Sequence, residues 1–322
     1  MRKAILLSLI LFSLLNASAQ KKQNIYFLKN SGKEVSLKDS ADYIRVIEEP
    51  DSGEIFFNIK EFYPNGKPKL LGKVSSFEPT IVYEGVVASY YKNGAKKNLI
   101  TYKKDIPVGM AYYFFEDGKL KKHVEYPENV AKEAELDRRF KLIYQVDSLG
   151  KVYVKDGNGH LIERDGEEKD TLIVEGDYKD GFKDGVWKGR YTSGKSSYTE
   201  EYTLSKFVSG TQTVGEKVYE YTVLEKAPQF KGGVNEFYKF LGRSVKYPRD
   251  AFSNNISGNV VVSFVVEKDG KITDAKIVRS VYPSIDTEAL RVVLASPNWI
   301  PGFQRGVPVR VKYNIPIKFD AR

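Results

Sequence analysis

The sequence contains no cysteine. No disulfide can staple this chain and no lipid can be attached through a cysteine sulfur, so an exported form must hold itself together by burial alone. Histidine is almost missing as well: His123 and His160 are the only two in 322 residues. Each stands in a charged, loop-like context, away from other ligands at metal-binding spacing, so neither points to a metal centre or a catalytic base. Methionine and tryptophan occur twice each, against 22 tyrosines and 18 phenylalanines. That balance favours strands over helical bundles. Past the first 20 residues there is no apolar run long enough to be a membrane span.

Chemistry-bearing motifs are equally scarce. Asp156-Gly-Asn-Gly159 lacks the later acidic positions of a calcium loop and reads as a turn. Lys231-Gly232-Gly233 precedes a predicted helix without the glycine-rich pattern that cradles phosphate after a parallel strand. Asp165, Glu167, Glu168 and Asp170 form an acidic run that reads as a solvated loop. Nothing selects a pair of carboxylates for acid–base work. No catalytic residue, cofactor or metal site is assigned, and the chain is read as a non-enzyme.

What is present begins with a leader. Met1-Arg2-Lys3 precedes an apolar run from Ile5 to Leu15, then Asn16-Ala17-Ser18-Ala19. A basic start, a short apolar region and small residues at Ala17 and Ala19 make a secretory signal, with cleavage after Ala19. The other reading, an uncleaved anchor tilted across a bilayer from Ala4 to Ala19, stays open. The formal charge of +9 is unevenly placed: residues 227–322 hold 15 Lys and Arg against 8 Asp and Glu, Arg2 and Lys3 add two more, and residues 20–226 are neutral overall. With no nucleic-acid-binding module in the chain, the basic C-terminal part is read as a solvated surface or one that attracts acidic partners or a membrane surface, and no nucleic-acid partner is expected.

The middle of the chain repeats one small motif: an aromatic, any residue, a turn-former, then glycine. It occurs as Tyr63-Pro-Asn-Gly66, Tyr91-Lys-Asn-Gly94, Phe115-Glu-Asp-Gly118, Tyr178-Lys-Asp-Gly181, Tyr191-Thr-Ser-Gly194 and Phe207-Val-Ser-Gly210. Asn-Gly and Asp-Gly supply the positive φ angles of tight turns, so each copy predicts one hairpin. Strands are predicted before the array at Ile25–Leu28, Tyr43–Ile47 and Ile55–Phe62, and a short helix within it at Asn129–Phe140. Gly176-Asp-Tyr-Lys-Asp-Gly-Phe-Lys-Asp-Gly-Val-Trp-Lys-Gly189 resembles a MORN-type repeat, and the earlier copies are similar to the looser relatives in antitoxin-like proteins of the YwqK type. The resemblance covers residues 60–126 and 174–212 as two short arrays. It implies a β-hairpin stack that either spaces the next domain or recognises protein or lipid.

From Ala227 the texture changes. Val234, Phe237, Tyr238 and Leu241 follow helical spacing to an end near Gly242, and Tyr247-Pro248 opens a second short helix. Gly258–Glu267 and Ile272–Arg279 flank Lys268-Asp-Gly270 as a hairpin. Ser284 is the predicted cap of a helix with Asp286 and Glu288 in its first turn, ended by Pro297. Last comes Val307–Phe319, where every odd position is apolar or aromatic and the even ones are Pro308, Arg310, Lys312, Asn314, Pro316 and Lys318. This period of two predicts one strand with its odd face on a core; Pro316, lacking a donor, places it at a sheet edge.

The motifs Tyr247-Pro, Gly258-x-Val-x-Val-x-Phe, Asp269-Gly, Asp286-x-Glu-Ala-Leu290, Pro297-x-Trp-x-Pro-Gly302 and Pro316-Ile-x-Phe319, in this order, resemble the carboxyl-terminal domain of TonB. The resemblance implies a small α+β domain with an antiparallel sheet. It also implies a role in energy transduction, in which the domain grips a segment of an outer-membrane transporter, or another envelope protein, by strand addition. By position the accepting edge is Val307, Val309, Arg310, Val311, Lys312, Tyr313, Asn314 and Ile315. The expected organisation is a leader over 1–19, a β-rich opening over 20–59, hairpin repeats over 60–215, a linker over 216–226 and the TonB-like domain over 227–322. An uncleaved leader would add inner-membrane motor proteins to the partners. In place of the proline-rich spacer of a full energy transducer stand the repeat hairpins.

Overall fold

The computed structural model describes residues 22–128, 140–166 and 170–321. The leader with Ala17 and Ala19, the helix predicted from Asn129 and two of the four acids of the 165–170 run lie outside these residues, apart from Phe140. The chain divides into two compact units, one made of residues 1–134 and 145–151, the other of 135–144 and 152–322.

The first unit is a meander of β1 (Gln23–Leu28), β2 (Tyr43–Glu48), β3 (Phe57–Phe62), β4 (Pro68–Ser76), β5 (Val82–Tyr90), β6 (Lys96–Lys103), β7 (Ile106–Phe114) and β8 (Leu120–Tyr126), each antiparallel to the next. Ile47, Ile59, Val74, Val87, Ile100, Ala111 and Val124 give each strand from β2 to β8 one buried aliphatic side chain. A core this thin depends on its turns. At Tyr63-Pro-Asn-Gly66 the Gly66 amide donates to Tyr63 O and the Tyr63 amide to Lys67 O, while the Asn65 side chain accepts from the Lys67 amide. Tyr91–Gly94 and Phe115–Gly118 repeat all three bonds. Only the glycines take positive φ here. The preceding Asn or Asp acts instead through its side chain, as in a type I turn closed by a bulge.

In the second unit β9 (Lys141–Val146), which the division between units crosses, is followed by β10 (Val152–Lys155), β11 (Asn158–Asp165), β12 (Leu172–Lys179), β13 (Phe182–Tyr191), β14 (Ser196–Thr203), β15 (Lys206–Val214) and β16 (Lys217–Tyr221). From β10 onward each strand pairs antiparallel with its successor. Asp180-Gly181 and Tyr191–Gly194 are turns as predicted, but Phe207–Gly210 is not. It lies inside β15, and the neighbouring turn is Leu204-Ser205, both at positive φ. Gly210 serves another purpose: a Cβ there would enter the ring of Tyr221, as one at Gly176 would enter Trp187 and one at Gly189 would enter Tyr198. These glycines make room for an aromatic ring on the neighbouring strand, which offsets the usual cost of glycine in a strand.

The C-terminal part of this unit contains β17 (Glu225–Lys226), α1 (Val234–Ser244), α2 (Arg249–Ser253), β18 (Gly258–Val266), β19 (Ile272–Arg279), α3 (Pro283–Leu294), β20 (Gly302–Gln304), β21 (Val307–Val309) and β22 (Val311–Phe319). Two three-stranded sheets result, ordered β17-β20-β21 and β19-β18-β22. The strand expected from Val307 to Phe319 is therefore two strands, broken at Arg310, and Val307 and Val309 belong to the other sheet. Alternation holds from 311 onward, with Ile315, Ile317 and Phe319 buried and Lys312, Asn314, Pro316 and Lys318 exposed. Trp299 fills the core against Phe230, Phe237, Phe264 and Tyr313.

Helix ends differ from expectation in two places. Gly242 is inside α1, which runs on to Ser244. Ser284 is not a cap, because Pro283 already occupies the first helical turn, and Asp286 instead reaches back to accept from the Ser280 hydroxyl and the Val281 amide. Glu288, 9% exposed, accepts from Arg291 and from the Lys246 amide. Hydrogen bonds from Arg291, and then from Lys246, hold its carboxyl below the usual carboxylate range against the opposing pull of burial.

Gly210→Val drives a side chain into Tyr221, and overpacking of this kind costs about 1–3 kcal/mol; urea denaturation checks this as a lower midpoint. Glu288, with its folded pKa depressed, contributes stability that is fully present above its unfolded value of 4.5 and is lost as pH falls through the folded value. Thermal scans from pH 7 downward therefore show a shallower acid-induced loss in Glu288→Gln than in the parent chain.

Candidate docking edge

β22 pairs with β18 over nine consecutive positions, from Gly258↔Phe319 to Val266↔Val311, without a register shift. On an antiparallel strand, residues alternate between pairs whose backbone groups point at the partner and pairs whose groups point away. Pro316, opposite Val261, has no N–H and belongs to the second kind. Because the register is unshifted, Lys312, Asn314 and Lys318 share its parity. The Asn259 carbonyl, opposite Lys318, supports the assignment: it accepts from the Arg279 side chain, on the β19 side of β18. Among the described residues no strand lies on the other side of β22 in its sheet. Its open side thus presents the N–H groups of Lys312, Asn314 and Lys318 and the carbonyls of Lys312, Asn314, Pro316 and Lys318.

The anticipated residues fall into four groups. Val311, Tyr313 and Ile315 face the core, where Tyr313 contacts Phe264 and Trp299 at 5.9 and 5.7 Å between ring centroids. Lys312 and Asn314 are exposed, and Lys312 has no carboxylate at ion-pair distance among the described residues. Arg310 sits at the break between β21 and β22, donating to Glu267 at 2.8 Å and to Asp274 at 2.5 Å. The Glu267 carboxyl is held below its usual range, first by the Thr273 hydroxyl and then by Arg310. Arg310 therefore ties the start of β22 to the β18–β19 hairpin. Val307 and Val309 pair with β20 and not with β18.

Sequence reasoning missed the contact that fixes the β20–β21 hairpin. Arg305, at its tip, donates through Nε to Glu200 Oε1 at 2.6 Å and lies 4.0 Å over the Tyr198 ring. Glu200, 2% exposed, also accepts from the hydroxyls of Tyr221 and Tyr202, each at 2.9 Å. Burial and then the Glu200 hydrogen bond push the Tyr221 hydroxyl well above its usual range. The signal was in the period of two: Tyr198, Glu200 and Tyr202 share one face of β14, and a carboxylate on an aromatic face needs a partner.

Other candidates resolve differently. His123 lies in β8 and His160 in β11, so neither occupies a loop. His160 Nδ1 is 2.7 Å from Asp177 Oδ1 on an exposed cross-strand pair. Asp156-Gly157 is a two-residue turn, both residues at positive φ. Among the described residues no group of three or more His, Asp or Glu side chains is placed to hold a metal ion, and no helix is long and apolar enough to cross a membrane.

Arg305→Ala strands the buried Glu200 carboxylate without its cation, at a cost of about 3–5 kcal/mol. Adding Glu200→Gln to it recovers part of that loss in a denaturant-melt double-mutant cycle.

Residues 243–321 match the family model of the Gram-negative bacterial TonB protein C-terminal domain. Among solved structures, the NMR solution structure of the Helicobacter pylori TonB C-terminal domain is similar at 24% identity, covering 27% of this chain and 92% of that one, with a TM-score of 0.23. No curated protein matches the chain.

Proposed function

We propose that this is an exported envelope protein of a Gram-negative-type bacterium that holds an extended segment of an outer-membrane transporter, or another envelope protein, as an added strand on β22. The observation that carries this reading is the open row of backbone groups at Lys312, Asn314, Pro316 and Lys318, within the span that matches the TonB C-terminal model. An unpaired edge offers the hydrogen bonds that strand addition uses. The leader is read as cleaved after Ala19, leaving the protein in the periplasm; if it is retained, the protein is anchored in the inner membrane and motor coupling returns. Residues 20–226 replace a flexible spacer with hairpins, which makes the protein a TonB-like adaptor.

The binding is modest in strength. Three outward donors and four acceptors give a handful of hydrogen bonds worth about 1 kcal/mol net each. Ordering the incoming peptide costs about 1–2 kcal/mol per residue. Side-chain contacts must supply the surplus, so affinity in the micromolar range follows.

Asn314→Pro tests this, because it deletes an outward donor and leaves the ladder to β18 intact. Proline at 311 or 313 would remove inward bonds and unsettle the sheet. With a panel of amino-terminal segments from the producing cell's outer-membrane transporters, fluorescence polarisation shows capture by the full chain and at least tenfold weaker capture by Asn314→Pro at unchanged melting temperature. Equal capture by both would contradict strand addition at β22.

A further inference from the structure

A cleft of about 610 Å³ opens in the second unit where its last hairpins meet the β20–β21 hairpin. Lys183, Tyr202, Ser205 and Phe207 line it from β13 to β15, and the β16–β17 connection with Gln304 and Arg305 lines it from the other side. That volume falls in the range of sites that take a small organic molecule.

Inside, the cleft is cationic. Lys183, half-buried, lies 4.7 Å over the Trp187 ring and 5.2 Å over that of Tyr202, and it has no carboxylate at ion-pair distance among the described residues. Ring faces attract an ammonium without neutralising it, so this partly desolvated cation has no counter-charge. Arg305 gives Glu200 one hydrogen bond, through Nε, and its terminal nitrogens donate to no carboxylate among the described residues. Ser205, 3% exposed, accepts from the Lys183 amide at 3.0 Å and donates its own O–H to no described residue. Apolar surface surrounds these donors: Phe207, stacked on Tyr221 at 5.5 Å, with Val223 and Leu224. Glu225 is the one acid lining the cleft; it is exposed and accepts from Gln304 at 3.4 Å.

We propose that this cleft binds a small free carboxylic acid with an aromatic body, its carboxylate held by Lys183 and Arg305 and its ring against Phe207 and Val223. Charge complementarity selects a monoanion, because Glu200 already compensates Arg305 and only Lys183 is left unbalanced. The guanidinium fork suits the planar pair of carboxylate oxygens. A compact inorganic anion would leave the apolar wall unused. This inference is independent of β22 and holds whether or not that strand accepts a peptide.

The test is titration of the ¹⁵N-labelled full chain with phenylacetate. The indole N–H of Trp187, bonded to Asp177 O at 3.1 Å, reports on the ring beneath Lys183, and Trp299 in the C-terminal core serves as the reference. Phenylacetate shifts the Trp187 signal with a Kd of about 1 mM, the strength expected of so small a ligand, and leaves Trp299 in place. Phenylacetamide, with the ring but no charge, and inorganic phosphate, with charge but no ring, bind at least tenfold more weakly. Lys183→Gln weakens phenylacetate binding about tenfold. Glu225→Gln, which removes the acid from the cleft, tightens it about threefold. Lys188→Gln, exposed on the same strand outside the cleft, changes nothing. Thermal melts verify folding; if Lys183→Gln does not fold, Glu225→Gln decides. Amide or phosphate binding as tight as that of the acid, an unaffected Lys183→Gln, or no tightening in Glu225→Gln overturns the proposal. So does tighter binding of a peptide ending in phenylalanine than of phenylacetate.

Discussion

The missing amide hydrogen of Pro316 constrains how β22 sits in its sheet. Backbone groups in a folded chain are paired or solvated, and a proline in a strand can only stand where a donor is not needed. Its place opposite Val261, in an unshifted register, determines which side each backbone group of Lys312, Asn314 and Lys318 faces. The odd residues then lock the strand in rotation, because Tyr313, Ile315, Ile317 and Phe319 reach the core that Trp299 fills. One face is committed to the domain while one edge remains open. That combination separates a usable docking strand from one that is merely unprotected.

The surroundings hold this strand at both ends. Arg310 ties its start to Glu267 and Asp274, and the Ala321 amide donates to the Ser257 hydroxyl just beyond its finish. Further out, Arg305 at the tip of the β20–β21 hairpin packs half-buried against the buried Glu200 and the Tyr198 ring of the preceding hairpins. Removing one partner of such a pair is costly, so the hairpin has strong reason to stay where it is. The repeats of the second unit and the C-terminal sheet are thus joined by a defined contact, with only Thr222, Val223 and Leu224 between β16 and β17.

Most of the secondary structure was legible in the sequence because alternation and turn chemistry are local. Five of the six aromatic-x-x-Gly copies mark real hairpin turns. Phe207–Gly210 failed because glycine has two uses in strands: Gly210 makes room for a ring that arrives from β16, a tertiary fact absent from the local pattern. The break at Arg310 was hidden for a related reason. Alternation continues straight through it, while the ion pairs that mark the break come from residues 36 and 43 positions away. Ser284 looked like a cap until Pro283 and Asp286 took the positions that define the helix start.

Amide hydrogen exchange, read residue by residue by NMR on the ¹⁵N-labelled chain with and without saturating transporter-segment peptide, addresses the central claim most directly. In the free protein the amides of Val311, Tyr313, Ile315 and Ile317 exchange slowly and those of Lys312, Asn314 and Lys318 fast; with peptide bound, Lys312, Asn314 and Lys318 become protected. Binding that leaves these three amides fast, or that protects β19 or the hairpin array instead, would contradict strand addition on β22.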